Sequence, residues 1–142
     1  MQLITYILGI TVSVLLIGIG LLHVYWALGG RWGIEVAVPE IQGKAAFAPS
    51  ILATVFVAIA LLAAAGIVLG RLGVWGSAMP SWVFYWGTWA LASVFLIRSI
   101  GNFRLIGFFK KVTGTRFAQW DTFLFSPLCL FIALVLILVA LT

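Results

Sequence analysis

The feature that most constrains this chain is a set of four long apolar segments with almost no charged side chains. They run over about 3–28, 50–70, 81–101 and 122–141. Each holds roughly 20 residues or more, the helical length that crosses the hydrocarbon core of a bilayer. A helix satisfies its own backbone hydrogen bonds in lipid, whereas the strands of a membrane barrel would be about half as long and alternating in polarity. The pattern predicts an all-α integral membrane protein with four transmembrane helices in a compact bundle.

The composition argues against the soluble classes of protein. Hydrophobic residues make up 65% of the chain and charged residues only 8%, whereas about a quarter of the residues in a soluble domain are charged. A soluble enzyme, a nucleic-acid module, a disordered tail and a disulfide-rich scaffold therefore all fit poorly. The net charge is +5, and the basic residues that give it lie among the apolar segments. We therefore expect the partner to be a lipid bilayer with anionic headgroups, and no nucleic acid. Residues 1–142 are interpreted as a single membrane domain.

The basic residues indicate the orientation of the chain in the membrane. No Lys or Arg precedes the first segment and no small-residue cleavage site follows it, so we interpret it as a span and not as a signal peptide. Lys and Arg concentrate on the cytoplasmic side of membrane proteins. We therefore expect loops 1 and 3 in the cytoplasm and both termini outside. The basic residues of the connections are Arg31 and Lys44 in loop 1, Arg71 in loop 2, and Arg104, Lys110, Lys111 and Arg116 in loop 3.

Small and aromatic residues predict how the helices pack and where they meet the membrane surface. Gly66 and Gly70 lie four residues apart in the second span, a spacing that allows close helix packing, either within the chain or in a homodimer. Most of the Trp residues lie near the ends of the spans, as in an aromatic belt.

The segment between the third and fourth spans interleaves aromatic and basic residues. This pattern is typical of a segment that lies in the interface plane of an anionic leaflet, and it is too short and too closely tethered to favour nucleic-acid binding. The predicted membrane-surface anchors are Arg104, Lys110, Lys111, Arg116, Phe108, Phe109 and Trp120.

Ionisable residues at membrane depth are costly and therefore mark candidate sites. His23 and Arg98 lie near the cytoplasmic ends of the first and third spans, and Asp121 opens the fourth. One interpretation is a polar pocket in which His23 and Arg98 face an anion or a headgroup. The other is structural: Arg98 snorkels to the headgroups, His23 bonds a nearby carbonyl, and Asp121 caps its helix or pairs with Arg98. The candidate binding residues are His23, Tyr25, Trp26, Arg98, Asn102 and Asp121.

Several chemistries lack the residues that they require. Cys129 is the single cysteine, so the chain has neither an intrachain disulfide nor a redox pair. The single histidine provides neither both axial ligands of a haem nor a metal cluster. No phosphate-binding loop and no nucleophile elbow is present. We expect no cofactor and no metal, and we assign no catalytic residue.

The segments around these polar residues resemble a known family. The strings LHVYWALGG at 22–30, RSIGNFR at 98–104, GFFKK at 107–111, GTRF at 114–117 and SPLC at 126–129 carry the likeness. They resemble the small bacterial membrane proteins catalogued as domain of unknown function number 3995. The resemblance implies four spans in a bacterial cytoplasmic (inner) membrane and no known activity. Members of that family often have Asp where this chain has Asn102, so the resemblance does not imply a strict charge pair at that position.

Three classes of function remain open, and whether the chain is an enzyme is left undecided. We favour a non-catalytic protein that packs against or stabilises a homodimer or larger membrane assembly. The first alternative is an oligomeric binding protein or transporter for a small anionic solute or lipid, with its pocket on the cytoplasmic side. The second is an interfacial enzyme acting on a lipid or quinone, with His23 as acid or base and Arg98 holding an anionic group.

Overall fold

Four long helices form the protein in a computed structural model that describes residues 2–142. The long helices are α1 (Gln2–Ala27), α3 (Ile51–Arg71), α4 (Ser81–Ile100) and a continuous helix over Arg116–Leu141. All four are long and apolar enough to cross a membrane. The last consists of α5 (Arg116–Trp120), a π-helical turn (Asp121–Phe125) and α6 (Ser126–Leu141). Loop 1 adds the short helix α2 (Ile34–Ala37) and a two-stranded hairpin of β1 (Glu40–Ile41) and β2 (Lys44–Ala45).

The long helices pack as a bundle whose sides are apolar. Helix α1 packs mainly on α3 and α4 mainly on α6, while contacts of α3 with α4 and of α1 with α6 complete the arrangement. The core contains Leu16, Val68 and Leu136, all fully buried. Large apolar side chains such as Phe56 (73% exposed) point outwards. Such a surface is suited to lipid and not to water. The prediction of an all-α membrane protein with four spanning helices is confirmed.

Glycines allow side chains to pack directly on helix backbones. A Cβ on Gly70 would collide with the Phe84 ring of α4, and the Gly66 carbonyl oxygen accepts a hydrogen bond of 2.7 Å from Trp75 Nε1. The face that carries Gly66 and Gly70 is therefore used by aromatic rings of the same chain. A homodimer seam at Gly66 and Gly70 stays a prediction.

Loops 1 and 3 meet at one end of the bundle, which we call the basic end (residues 28–50 and 101–115). Helix α2 of loop 1 packs against α5. Arg116 Nη1 lies 3.3 Å from Glu35 Oε2, with both side chains mostly exposed. Loop 1 therefore folds back against the start of the fourth long helix instead of extending away from the bundle.

The fourth span starts earlier than the sequence predicts. Its helix begins at Arg116, and the Thr115 hydroxyl caps it by accepting a hydrogen bond of 3.0 Å from Ala118 N. Asp121 is therefore not an N-cap, as expected from the sequence, but lies inside the helix. Pro127 has no N–H for the carbonyl of Phe123, and its ring would clash there in a regular α-helix. The wider π turn lies directly before Pro127, where Ser126 N bonds the Asp121 carbonyl.

Candidate functional site

A buried carboxylate next to the basic end is the centre of a polar cluster. Asp121 is fully buried. Its Oδ1 accepts a hydrogen bond of 2.9 Å from Arg98 Nη2. Its Oδ2 accepts from Gly107 N at 2.8 Å, Lys110 Nζ at 3.0 Å and Ser126 Oγ at 3.1 Å. We call these five residues the Asp121 cluster. Four donors satisfy the carboxylate, so Asp121 holds α4, loop 3 and α6 together.

The start of loop 3 folds back so that its backbone reaches this carboxylate. Gly101 and Gly107 have φ of 88° and 89°. A Cβ on Gly101 would collide with the backbone at Gly107, and a Cβ on Gly107 would collide with the backbone at Gly101. Between them, Asn102 Oδ1 accepts hydrogen bonds from the backbone N–H groups of residues 104, 105 and 106. Asn102 therefore shapes the turn that presents Gly107 N to Asp121, and its hydrogen bonds are to the backbone, not to Arg98.

Lys110 has a different place from the one that the sequence predicts. It was expected to anchor loop 3 at the membrane surface, but only 3% of its side chain is exposed. Its Nζ donates to Asp121, to the Gly107 carbonyl at 3.0 Å and to Thr122 Oγ1 at 2.6 Å. Lys110 is thus a structural partner of Asp121. The other predicted anchors are all exposed, and their role at a membrane surface stays a prediction: Arg104, Lys111, Arg116, Phe108, Phe109 and Trp120.

Arg98 connects the Asp121 cluster to a neighbouring pocket. Its side chain is 29% exposed and lines a pocket of ≈ 280 Å³ together with Asn102, Phe47 and Phe117, which we call the Arg98 pocket. Only Nη2 bonds Asp121, while Nη1 is buried and has no hydrogen-bond partner within residues 2–142. The cluster contains two cations and one carboxylate, so it has a surplus positive charge beside this pocket.

His23 lies in a second pocket, of ≈ 480 Å³, which we call the His23 pocket. Trp26, Ile34, Phe47 and Thr54 form part of its wall, and Phe47 and Ala37 separate it from the Arg98 pocket because both residues line both pockets. His23 Nδ1 lies 2.8 Å from the Ile19 carbonyl oxygen. The His23 and Trp26 rings meet edge to face at 4.9 Å.

The structure therefore divides the predicted site. Arg98 and Asp121 form an ion pair, and Asn102 lies beside them in the Arg98 pocket. His23 and Trp26 belong to the neighbouring pocket. Tyr25 lines neither pocket, and its ring lies against Gly30, where a Cβ would collide with it.

The family match covers the same polar segments. A profile described as "Protein of unknown function (DUF3995)" matches residues 16–136, which include both pockets and the whole Asp121 cluster. The chain belongs to the DUF3995 family. No curated protein and no solved structure matches the chain.

In this DUF3995 protein, sequence reasoning missed three members of the Asp121 cluster: Gly107, Lys110 and Ser126. Lys110 lies in a run of basic and aromatic residues and looks like its exposed neighbour Lys111. Ser126 had one usable signal, because a hydroxyl one residue before a proline inside a span marks a place where the helix can widen. No local pattern indicates that a backbone N–H at Gly107 would face a carboxylate 14 residues later.

Proposed function

We propose that this DUF3995 protein is a non-catalytic interaction protein of the membrane that binds an anionic amphiphile through Arg98. The observation that carries the proposal is the buried Arg98 Nη1, which has no partner in the described chain. A buried donor left without an acceptor costs about 1–3 kcal/mol. An anionic headgroup in the Arg98 pocket would supply an acceptor, and guanidinium groups bind phosphates and carboxylates through such a fork of donors.

The charges of the Asp121 cluster support an anionic ligand. Lys110 Nζ is used by three acceptors within the chain. Asp121 is satisfied by its own four donors. The surplus positive charge is therefore shared by Arg98 and Lys110, and Arg98 is the one of the two that lines the Arg98 pocket. Within the low-dielectric end of a helix bundle, such a charge attracts a counter-ion strongly.

The hydrogen bonds of the ionisable residues argue for binding and against catalysis. Asp121 is buried, and its carboxylate is held by four donors of the same chain. His23 Nδ1 faces a backbone carbonyl and not a carboxylate. In a Ser-His-Asp triad, by contrast, the histidine that acts as base is oriented by an acidic partner on its second nitrogen.

The proposal also includes the side of the membrane on which the site lies. We infer that the basic end faces the cytoplasm of a bacterial cell at the inner membrane, because the basic loops 1 and 3 both lie there. Exposed Arg104 and Lys111 and the exposed ring of Phe109 would anchor loop 3 in the anionic leaflet. An anionic lipid of that leaflet would then have lateral access to the Arg98 pocket.

Lipid titration with matched variants tests this function. Purified protein is titrated with short-chain phosphatidylglycerol or phosphatidylcholine, and bound lipid is counted by native mass spectrometry. We expect the wild type to prefer phosphatidylglycerol. Arg98→Lys keeps a charge for Asp121 but removes the second arm of the fork, so the preference should fall. Arg104→Lys makes the same change on an exposed side chain and should keep it. Equal binding of both lipids to the wild type would contradict the proposal.

A role in a larger membrane assembly is the second candidate function. Helix α3 exposes Ala60 and Ala63 on its outer side. Small side chains there would allow a helix of another subunit to approach closely. Cysteine cross-linking in native membranes tests this role, with Ala63→Cys in a Cys129→Ser background and Val94→Cys on the exposed side of α4 as control. A cross-linked dimer only at residue 63 would support the role, and equal yields at both positions would count against it.

A further inference from the structure

We propose that the His23 pocket binds an apolar molecule that carries a hydroxyl or phenol group, with His23 Nε2 accepting its hydrogen bond. This site is separate from the Arg98 pocket and has different chemistry. It does not rest on the anionic ligand proposed above.

The hydrogen bond of His23 fixes which ring nitrogen is free. Nδ1 lies 2.8 Å from the Ile19 carbonyl oxygen. A carbonyl oxygen only accepts hydrogen bonds, so Nδ1 must carry a proton. In the neutral ring, Nε2 then has a lone pair. Nε2 has no hydrogen-bond partner in the described residues, and the ring that carries it lines the pocket.

The other polar side chains in the wall already have partners within the chain. Ser50 Oγ accepts a hydrogen bond of 3.1 Å from Ala53 N. Thr54 Oγ1 donates to the Ser50 carbonyl at 3.0 Å. Trp26 Nε1 donates to the Trp32 carbonyl at 2.8 Å. His23 Nε2 is therefore the side-chain nitrogen of the wall that is left for a ligand.

The rest of the wall selects an apolar body. Ile34, Val38, Phe47 and Val57 line the pocket, and the Trp26 ring adds an aromatic face. No Lys or Arg is among the residues that line it, so the pocket offers an anion no counter-charge. Its volume of ≈ 480 Å³ falls within the usual range for small-molecule sites. A mostly apolar pocket with a free nitrogen acceptor is complementary to an apolar molecule with a hydroxyl donor, such as a lipid-soluble hydroquinone or a long-chain alcohol.

The chain has one histidine, which permits a direct spectroscopic test. Protein with ¹⁵N-labelled histidine is placed in zwitterionic lipid nanodiscs and titrated with a decyl-substituted hydroquinone, its dimethyl ether or decanol. We expect the free protein to show a protonated Nδ1 and an unprotonated Nε2. The Nε2 resonance should move upfield with the hydroquinone and stay in place with the dimethyl ether, which has no donor. If decanol also moves the Nε2 resonance, any hydroxyl group serves. If the hydroquinone moves it and decanol does not, the site is restricted to phenols.

Three results would overturn the proposal. They are a free protein whose proton is on Nε2, an equal shift with the dimethyl ether, and no shift with either hydroxyl compound. Titration of the same sample with phosphatidylglycerol tests the Arg98 site separately, because that lipid is anionic and neither hydroxyl compound carries a charge.

Variants provide a second readout by equilibrium dialysis of the hydroquinone. His23→Leu removes the acceptor, and affinity should fall about threefold to tenfold, the value of one hydrogen bond. His23→Gln keeps a side-chain acceptor and should restore part of the affinity. Gln119→Leu makes a polar-to-apolar change at the same end of the bundle, outside the pocket, and should bind as the wild type does. Equal affinity of wild type and His23→Leu would contradict the assigned acceptor.

Discussion

Lys110 Nζ lies 3.0 Å from Asp121 Oδ2, with only 3% of the lysine side chain and none of the aspartate exposed. The next residue, Lys111, is exposed. Two adjacent lysines of loop 3 therefore have opposite environments. One is part of the buried structure of the basic end and the other is on its surface.

Replacement of each lysine by methionine should separate these roles. Lys110→Met leaves Asp121 with fewer charged donors in a buried site. We expect it to lower the free energy of unfolding by about 2–4 kcal/mol, between the cost of one charge-assisted hydrogen bond and that of an unpaired buried charge. Lys111→Met should change it by less than about 0.5 kcal/mol. Reversible unfolding in mixed micelles measures both, and equal effects would show that Lys110 is not buried.

The coupling between Lys110 and Asp121 can be measured with a double-mutant cycle. Asp121→Asn leaves the cations Arg98 and Lys110 without a counter-ion and should be strongly destabilising. In the Lys110→Met background one of those cations is absent, so the same replacement should cost less, by about 1–3 kcal/mol. Additive effects of the two replacements would contradict direct pairing.

Two helical glycines differ in the space around them. A Cβ on Gly70 would collide with the Phe84 ring, whereas nothing lies within 4 Å of a Cβ on Gly18. Gly70→Ala should therefore lower the free energy of unfolding by about 1–3 kcal/mol through overpacking. Gly18→Ala should be neutral or slightly stabilising, since alanine favours a helix. Thermal unfolding of both variants is the measurement, and a harmless Gly70→Ala would show that Phe84 does not pack there.

The orientation of the chain can be tested by labelling introduced cysteines. Cys129 is the single native cysteine, so a Cys129→Ser background carries no other thiol. Ala45→Cys in loop 1 and Ser77→Cys in loop 2 are both exposed positions. If the basic end faces the cytoplasm, a membrane-impermeant maleimide should label residue 77 on intact cells and residue 45 only after the membrane is opened. The reverse pattern would invert the proposed topology.

The fold followed from the sequence because its main determinant is local. A run of about 20 apolar residues has to form a helix in lipid, whatever surrounds it, since its backbone has no other partner. The predicted start of the fourth span was less accurate. Residues 116–121 are amphipathic, so they look like a loop when only apolar residues are considered. Thr115 followed by a helical turn was the missed signal.

The sequence by itself also indicated candidate polar residues, since a charge inside a span is costly. It supported the pairing of Arg98 with Asp121 as one alternative, and the structure contains that pair. Only the tertiary structure decided the rest: Lys110 is turned inwards, Gly107 donates its backbone N–H, and His23 lies in a pocket apart from Arg98. The physical reason is that burial and hydrogen-bond partners depend on how loops 1 and 3 fold back over the helices. Those contacts join residues far apart in the chain, and no local periodicity encodes them.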